Sequence, residues 1–268
     1  MNTENKNENE NEDTRPPRKL RSPEIEEIRR CVRFGYDLQK LRIQQGNRSG
    51  SETVELGEDS IAYLAKASDK LTEAEDIAFK GLAKLLKPIP IYDQWLKDQK
   101  GVGPRMAGVI VSEFDITRAH APSCFISYAG LACDGDGKAV RRKKGEKANY
   151  NPFLKSKLVK VLGESFIKSR SPWREFYDNY KNRLQHRRVT CMLCEGSGVY
   201  DKKTCYNCNG NAHDAPWGRS DMHRHQAAIR YMVKQFLIQL HIKWREVEGL
   251  PVRRPYAEEY LGRKHHED

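Results

Sequence analysis

Two CxxC pairs, Cys191-Met-Leu-Cys194 and Cys205-Tyr-Asn-Cys208, stand with ten residues between them, and no other feature restricts the folding of the chain as much. Four thiolates this close in sequence can wrap one Zn2+ tetrahedrally, which closes the site and leaves no position for a reacting water. Gly196 and Gly198 follow the first pair and Gly210 the second. Glycine tolerates positive φ, so backbone amides there can turn towards sulfur. The chain has seven cysteines, an odd number that suits metal binding in a reducing compartment better than the alternative, free or disulfide-bonded thiols. His213, His223 and His225 lie near enough in sequence to act as alternative ligands, or to face solvent or DNA.

The cysteine run resembles the paired CxxCxGxG repeats of DnaJ-type zinc domains, with Ala212 where the last glycine would stand. That resemblance implies a structural zinc knuckle and says nothing about chaperone work, since the His-Pro-Asp signature of a J domain is absent. Elsewhere the apolar pattern is helical. Ile25, Ile28, Val32 and Tyr36 recur at three- and four-residue steps, as do Ile61, Leu64, Leu71, Leu82 and Leu85. The Gly/Ser-rich segment Gly46 to Gly57 should let these two helices fold back on each other. Pro88 and Pro90 end the second helix. A short helix around Ile91 to Asp98, a helix through Ser112 and another from about Ser123 to Leu131 are expected next. Asn151-Pro152 and Ser171-Pro172 read as helix starts. Ser220 or Asp221 should cap a final helix with an apolar stripe of Ile229, Val233, Phe236, Leu240 and Trp244.

The expected fold is therefore mainly α. An Asn/Glu-rich tail (1–20) precedes a coiled-coil-like helical hairpin (21–90), then a helix-hairpin-helix domain (91–188) with a small zinc-ribbon-like insertion (189–214). A C-terminal helix (215–256) completes the domain before a short tail (257–268). No stretch approaches the roughly eighteen apolar residues a membrane span needs, and the N-terminus lacks an apolar signal region. A soluble cytoplasmic protein of a bacterium, archaeon or phage, forming a homo-oligomer through the helical hairpin, is the expectation.

A net charge of +11 points to nucleic acid as the partner. Lys100-Gly101-Val102-Gly103-Pro104-Arg105 lies between two expected helices, and a GxG turn entering a helix exposes amides that can hold a phosphate oxygen, with Lys100 and Arg105 adding charge. A simple tight turn fits the same residues. Lys138, Arg141, Arg142, Lys143, Lys144 and Lys147 follow in a loop, with Lys155, Lys157 and Lys160 on the next helix. Such a run is either a solvated face or, beside a phosphate-binding turn, a DNA contact.

The segments Lys100 to Gly108, Tyr128-Ala-Gly-Leu131, the Gly/Lys/Arg loop, Asn151 onward, Pro172-Trp173-Arg-Glu-Phe176-Tyr177 and His223 to Arg245 together resemble the C-terminal transposase domain of the Piv-invertase and DEDD insertion-sequence transposase family. The resemblance covers about residues 60 to 256, and implies a DNA-binding protein of transposition or recombination. Family members carry a RuvC-like nuclease domain and a serine in the loop after Tyr-Ala-Gly-Leu. The residues before Lys100 are too few and too helical for that domain, and Asp136 stands where the serine aligns.

Three functions follow. One is DNA backbone binding at junctions or element ends, with a separate nuclease or a guide RNA as a further partner. Another is a complete recombinase in which Asp134, Asp136, Glu113 or Asp115 binds Mg2+ for phosphodiester cleavage; Asp134 and Asp136 in a Gly-rich loop also read as turn formers. The third is a zinc-dependent protein-interaction adaptor.

Overall fold

Apolar residues spaced three to four apart do form helices. The computed structural model describes residues 22–51, 58–133, 139–140 and 144–253. The two tails, the middle of the helix connection, Asp134, Asp136, Lys138, Arg141, Arg142 and Lys143 lie outside the described residues. Helices α1 (Pro23–Ser51) and α2 (Glu58–Leu86) run antiparallel. Tyr36 meets Phe79 edge to face, and Gln39 and Arg42 both reach Glu75. Then come α3 (Pro90–Gln94), a single 3-10 turn (Leu96–Asp98), α4 (Pro104–Glu113) and α5 (Pro122–Tyr128). A continuous rod follows, made of α6 (Pro152–Ser156), a π-helical turn (Lys157–Leu162) and α7 (Gly163–Lys168). Helix α8 (Arg174–His186) and the long α9 (Asp221–Val247) close the fold, and the cysteine segment lies between them.

One hydrophobic core takes in residues from α1 to α9. Ile28 and Val32 of α1 and Phe79, Leu82 and Leu86 of α2 are buried with α4, whose side chains from Met106 to Glu113 are all covered. The α9 stripe of Ile229, Val233, Phe236, Leu240 and Trp244 is buried throughout, as its spacing predicts. The rod packs so closely on α9 that a Cβ at Gly163 would stand 2.5 Å from Ile229 Cγ2. Both expected caps at Asn151 and Ser220 form: Asn151 Oδ1 accepts from the Leu154 amide at 3.1 Å, and Ser220 Oγ from the His223 amide at 3.2 Å.

Some expectations are corrected. Ile61 is 53% exposed, because the first turns of α2 reach beyond the core, which α2 joins only from Phe79 onward. The helix expected over Ile91 to Asp98 splits at Trp95 into α3 and the 3-10 turn. Helix α5 stops at Tyr128, where Gly130 takes a positive φ of 65°. Ser171 does not cap α8. Its Oγ is buried without a hydrogen-bond partner, and a turn through Pro172 and Trp173 carries the Trp173 ring onto Phe236 before the helix starts at Arg174.

The buried charges are the features periodicity could not show. Glu75, 3% exposed, accepts from Arg42 at 2.8 Å, Arg105 at 2.9 Å and Gln39 at 3.1 Å. Burial alone would raise its carboxyl, but these partners outweigh it and hold it below the usual value. Glu113, 1% exposed, is bound by Arg33, with Arg29 at 3.8 Å, and accepts from Asn151 Nδ2 at 2.6 Å. These two nodes tie α1 to α2 and α4.

Candidate metal centre

The cysteine segment is built from two loops related by an approximate two-fold pattern. Strand β1 (Arg188–Val189) pairs antiparallel with β4 (Ala215–Pro216) at its base, and β2 (Val199–Tyr200) with β3 (Lys203–Thr204) at its tip. The tip turn uses positive φ at both Asp201 and Lys202, as a two-residue hairpin loop requires. The Cys191 amide donates to the Ala212 carbonyl at 2.7 Å, and the Cys205 amide to the Gly198 carbonyl at 2.9 Å. Each CxxC repeat thus holds the other by the carbonyl of its eighth residue. The two positions differ in conformation. Gly198 has φ of 75°, and a Cβ there would meet the Gly210 carbonyl oxygen at 2.9 Å, so that position requires glycine. Its counterpart Ala212 lies outside the positive-φ region and packs in the cysteine cluster, which is why alanine is accepted.

The four sulfurs converge. Cys191, Cys194, Cys205 and Cys208 are all buried, and their sulfurs lie within 4.8 Å of one another. The Cys191 and Cys205 sulfurs are 3.8 Å apart, as are those of Cys194 and Cys208. A tetrahedron with metal–sulfur bonds of about 2.3 Å has an edge of about 3.8 Å. The donor set therefore fits a four-coordinate ion with no open position, compatible with a structural zinc. Among the described residues, this is the group positioned to hold a metal. Two of the three nearby histidines are engaged otherwise: His223 Nδ1 accepts from the Arg219 amide at 3.2 Å, and His225 meets Tyr177; His213 is not in the ligand group.

The surroundings favour thiolate at Cys191 and Cys194. Burial opposes ionisation of Cys191, but the Asn207 side-chain amide and the backbone amides of Cys194 and Leu193 outweigh it and bring the thiol down to about 6. Cys194 is also lowered: burial opposes, while the amides of Gly198 and Gly196 favour the anion. Burial and the neighbouring Cys205 and Cys194 push Cys208 up to about 12. Four sulfurs at these distances cannot all carry charge unless a cation joins them.

Asn207 connects this centre to the helices. Its amide donates to Cys191 Sγ at 3.5 Å and to the Gly218 carbonyl at 3.0 Å, while its oxygen accepts from Arg224 of α9 at 3.3 Å. The Trp217 amide reaches the carbonyls of Leu184 and Arg187 at 3.2 and 3.0 Å, which serves the C-terminal end of α8.

The remaining expected site residues are dispersed. In the turn before α4, Lys100 and Gly103 are exposed, Val102 is buried, and the Gly101 carbonyl accepts from Ser165 Oγ at 2.8 Å. No side chain caps α4. Arg105 turns back to α2, pairing with Glu75 at 2.9 Å and Asp76 at 3.5 Å and stacking over the Phe79 ring. Lys144 and Lys147 are exposed. Lys155 Nζ donates to the Val140 carbonyl at 2.8 Å and lies over Tyr150; Lys157 lies 3.3 Å over the Tyr36 ring. Of the acidic candidates, Glu113 is taken by arginine and asparagine, and Asp115 Oδ1 accepts from both the amide and hydroxyl of Thr117, as a turn former does.

Tyr177, His225 and Glu164 form a chain of contacts that sequence reasoning missed; Tyr177 and His225 are 48 residues apart with the metal segment between them, and no spacing signal joins them. No family model, curated protein or solved structure matches this chain. No helix among the described residues is long and apolar enough to cross a membrane.

Proposed function

We propose that the chain binds DNA by its phosphate backbone, in transposition or recombination as the family resemblance implies, and that the ion in its four-cysteine site is a structural Zn2+. A tetrahedral all-thiolate set selects zinc or iron among common metals, and a closed, buried site with four sulfur ligands suits a structural, redox-inert ion. Metal content of the purified protein by elemental mass spectrometry tests this; one zinc per chain is expected, and stoichiometric iron would refute it.

The observation that carries the DNA reading is the pair Lys155 and Lys157. Both are partly buried and meet a carbonyl or an aromatic ring rather than a carboxylate. Burial, then the charge of Arg230, lowers Lys155; burial, then Arg33, lowers Lys157. Each is thus a partly desolvated cation beside a like charge, Lys155 beside Arg230 and Lys157 beside Arg33, and an incoming phosphate would stabilise either couple. Exposed Lys144 and Lys147 belong to the loop that enters this region through Val140. The measurement is fluorescence anisotropy with duplex DNA over a salt series. Each phosphate contact contributes about 0.9 to the slope of log K against log salt, so the Lys155→Ala/Lys157→Ala double variant should lower that slope by about two. An unchanged slope with the fold intact would refute the assignment.

A further inference from the structure

Three helices bring a hydroxyl, an imidazole and a carboxylate into one line. Tyr177 of α8 has its Oη 2.7 Å from His225 Nδ1 of α9, and His225 Nε2 lies 3.3 Å from Glu164 Oε1 of α7. A carboxylate beside Nε2 favours the tautomer protonated there, which would leave the Nδ1 lone pair to accept from the tyrosine hydroxyl. Nucleophile, base and orienting carboxylate stand here in the relation that activates a hydroxyl for attack. A tyrosine that only fills a core is satisfied by any carbonyl; this one is paired with a base that is itself backed by an acid.

We propose that Tyr177 is a nucleophile that joins transiently to a phosphorus of the DNA backbone, with His225 as its general base and Glu164 as the positioning residue; this rests on the DNA reading given above. The Tyr177 residue is 7% exposed, and the polar groups around its hydroxyl are only partly covered. The side chains of His225, Glu164 and Lys181 are 21%, 35% and 32% exposed. Lys181, one helical turn beyond Tyr177, holds Asp221 at 3.2 Å, and its ammonium would take a non-bridging phosphate oxygen as charge builds there. The two carboxylates nearby are already engaged, Asp221 by Lys181 and Arg224, Glu164 by the imidazole.

In the step, the Tyr177 oxygen forms a bond to phosphorus, and the bond from phosphorus to one deoxyribose oxygen breaks. The tyrosine proton passes to His225 Nδ1, and solvent water protonates the departing oxygen, which lies on the far side of phosphorus from the attacking one. The products are a phosphotyrosyl-linked strand and a free hydroxyl end. One phosphoester replaces another, so no metal, oxidant or nucleotide is consumed, and attack by a hydroxyl on the phosphotyrosine rejoins the strand. Such a reaction suits strand exchange and needs no serine of the kind that the loop after Leu131 lacks.

The test incubates the metal-loaded full chain with fluorescein-labelled oligonucleotides of randomised sequence, as duplex, single strand and four-way junction. Adduct is read as label that stays with the protein in denaturing gels, and peptide mass spectrometry locates it; anisotropy on the same samples reports binding. The expected result is an adduct on Tyr177 that disappears in Tyr177→Phe. It should form about 10²- to 10⁴-fold more slowly in His225→Ala. Glu164→Gln should slow it without changing DNA affinity, and Glu164→Asp should recover part of the rate. Wild-type protein that binds DNA yet forms no adduct on any of the three substrates overturns the proposal and leaves the DNA reading standing, as does an adduct that survives in Tyr177→Phe. Wild-type protein that binds none of the three overturns both. If Tyr177→Phe fails to fold by circular dichroism, the His225→Ala rate decides.

Discussion

Removal of the metal should melt the cysteine segment and spare the helices. The buried apolar side chains of that segment are the four cysteines, Ala212 and Ala215, with Leu193 partly covered. Two alanine methyl groups return about 0.8 kcal/mol each on burial, whereas ordering a loop costs about 1–2 kcal/mol per residue. The metal has to supply the difference, and structural zinc contributes on the order of 10–16 kcal/mol in sites of this kind. The helical core draws on none of that. Its twelve largest fully buried side chains, among them Phe125, Phe166 and Phe236, stand for on the order of 20–35 kcal/mol of gross burial at about 1.5–3 kcal/mol each. The assay is hydrogen exchange read by mass spectrometry before and after a strong chelator, with circular dichroism alongside. Amides from 188 to 216 should lose protection, the first turn of α9 should fray as Asn207 releases Arg224, and the helical signal should fall by only a small fraction. Trp217, whose amide is tied to α8 and whose ring lies 5.1 Å from His223, should report the change in fluorescence, and Trp217→Phe should remove it. Loss of protection along α4 and the centre of α9, or full protection retained across 188–216, would refute the reasoning.

Glu75→Gln should destabilise the fold by about 1–2 kcal/mol in urea unfolding, less than the 3–5 kcal/mol of a fully buried pair because Arg42 and Arg105 are 35% and 42% exposed. Since the folded carboxyl is depressed, its contribution is present above the ordinary value of about 4.3 and is lost as pH falls through the folded value, so the variant should flatten the acid limb of the stability curve. Burial, opposed by the Ala119 carbonyl 2.8 Å away, lowers His241. The unfolded chain then takes a proton near pH 6.5 that the folded one refuses, and stability should drop from pH 7.5 to 5.5 less steeply in His241→Gln. Gly163→Ala gains about 1 kcal/mol of helix propensity but forces a methyl to 2.5 Å from Ile229 Cγ2. Overpacking at about 1–3 kcal/mol should prevail, and Ile229→Ala in the same chain should relieve it in a double-mutant cycle. Asn207→Asp removes the amide donor from Cys191 and adds a negative charge beside the sulfurs, so affinity in competition with a chromophoric chelator should fall by about 10- to 100-fold, and a change under threefold would contradict the role.

Periodicity made the helices legible because most of their stabilisation is burial of one face, and that face repeats every 3.6 residues. The α9 stripe and the caps at Asn151 and Ser220 are cases where local chemistry and tertiary packing agree. Ile61 and Ser171 are cases where they do not. Nothing within the α2 sequence says that its first turns lie beyond the core, and nothing in Ser-Pro says that Trp173 will be drawn onto Phe236 and delay the helix. The four cysteines were legible for another reason: a metal site in one short segment is a local object, whose geometry follows from the spacing of its ligands. Arg105 shows the opposite limit. Beside a GxG turn it reads as a phosphate ligand, yet its guanidinium is held by Glu75, 30 residues earlier in the chain, and by stacking on Phe79. Charge in a sequence has no direction until a partner from another helix supplies one.

The metal segment also has a structural consequence for the two helices it joins. A short loop between α8 and α9 would leave the last carbonyls of one and the first amides of the other to solvent. Here the Trp217 amide serves Leu184 and Arg187 at the end of α8, Ser220 caps α9, and Asn207 links Cys191 to Arg224. The register of α9 against α8 is thereby set at the end where the cysteines lie. His225 follows Arg224 directly, and its 2.7 Å contact with Tyr177 depends on that register, since a helix turns about 100° per residue and a slip of one position would carry the imidazole off the hydroxyl. A metal site that touches neither side chain can thus control the Tyr177 to His225 contact. Metal loss and the Asn207→Asp change should both lengthen the Tyr177 to His225 contact, which a downfield tyrosine hydroxyl or histidine ring proton signal would report by its disappearance, while the Phe236 and Leu240 methyl and ring signals in the core stay in place.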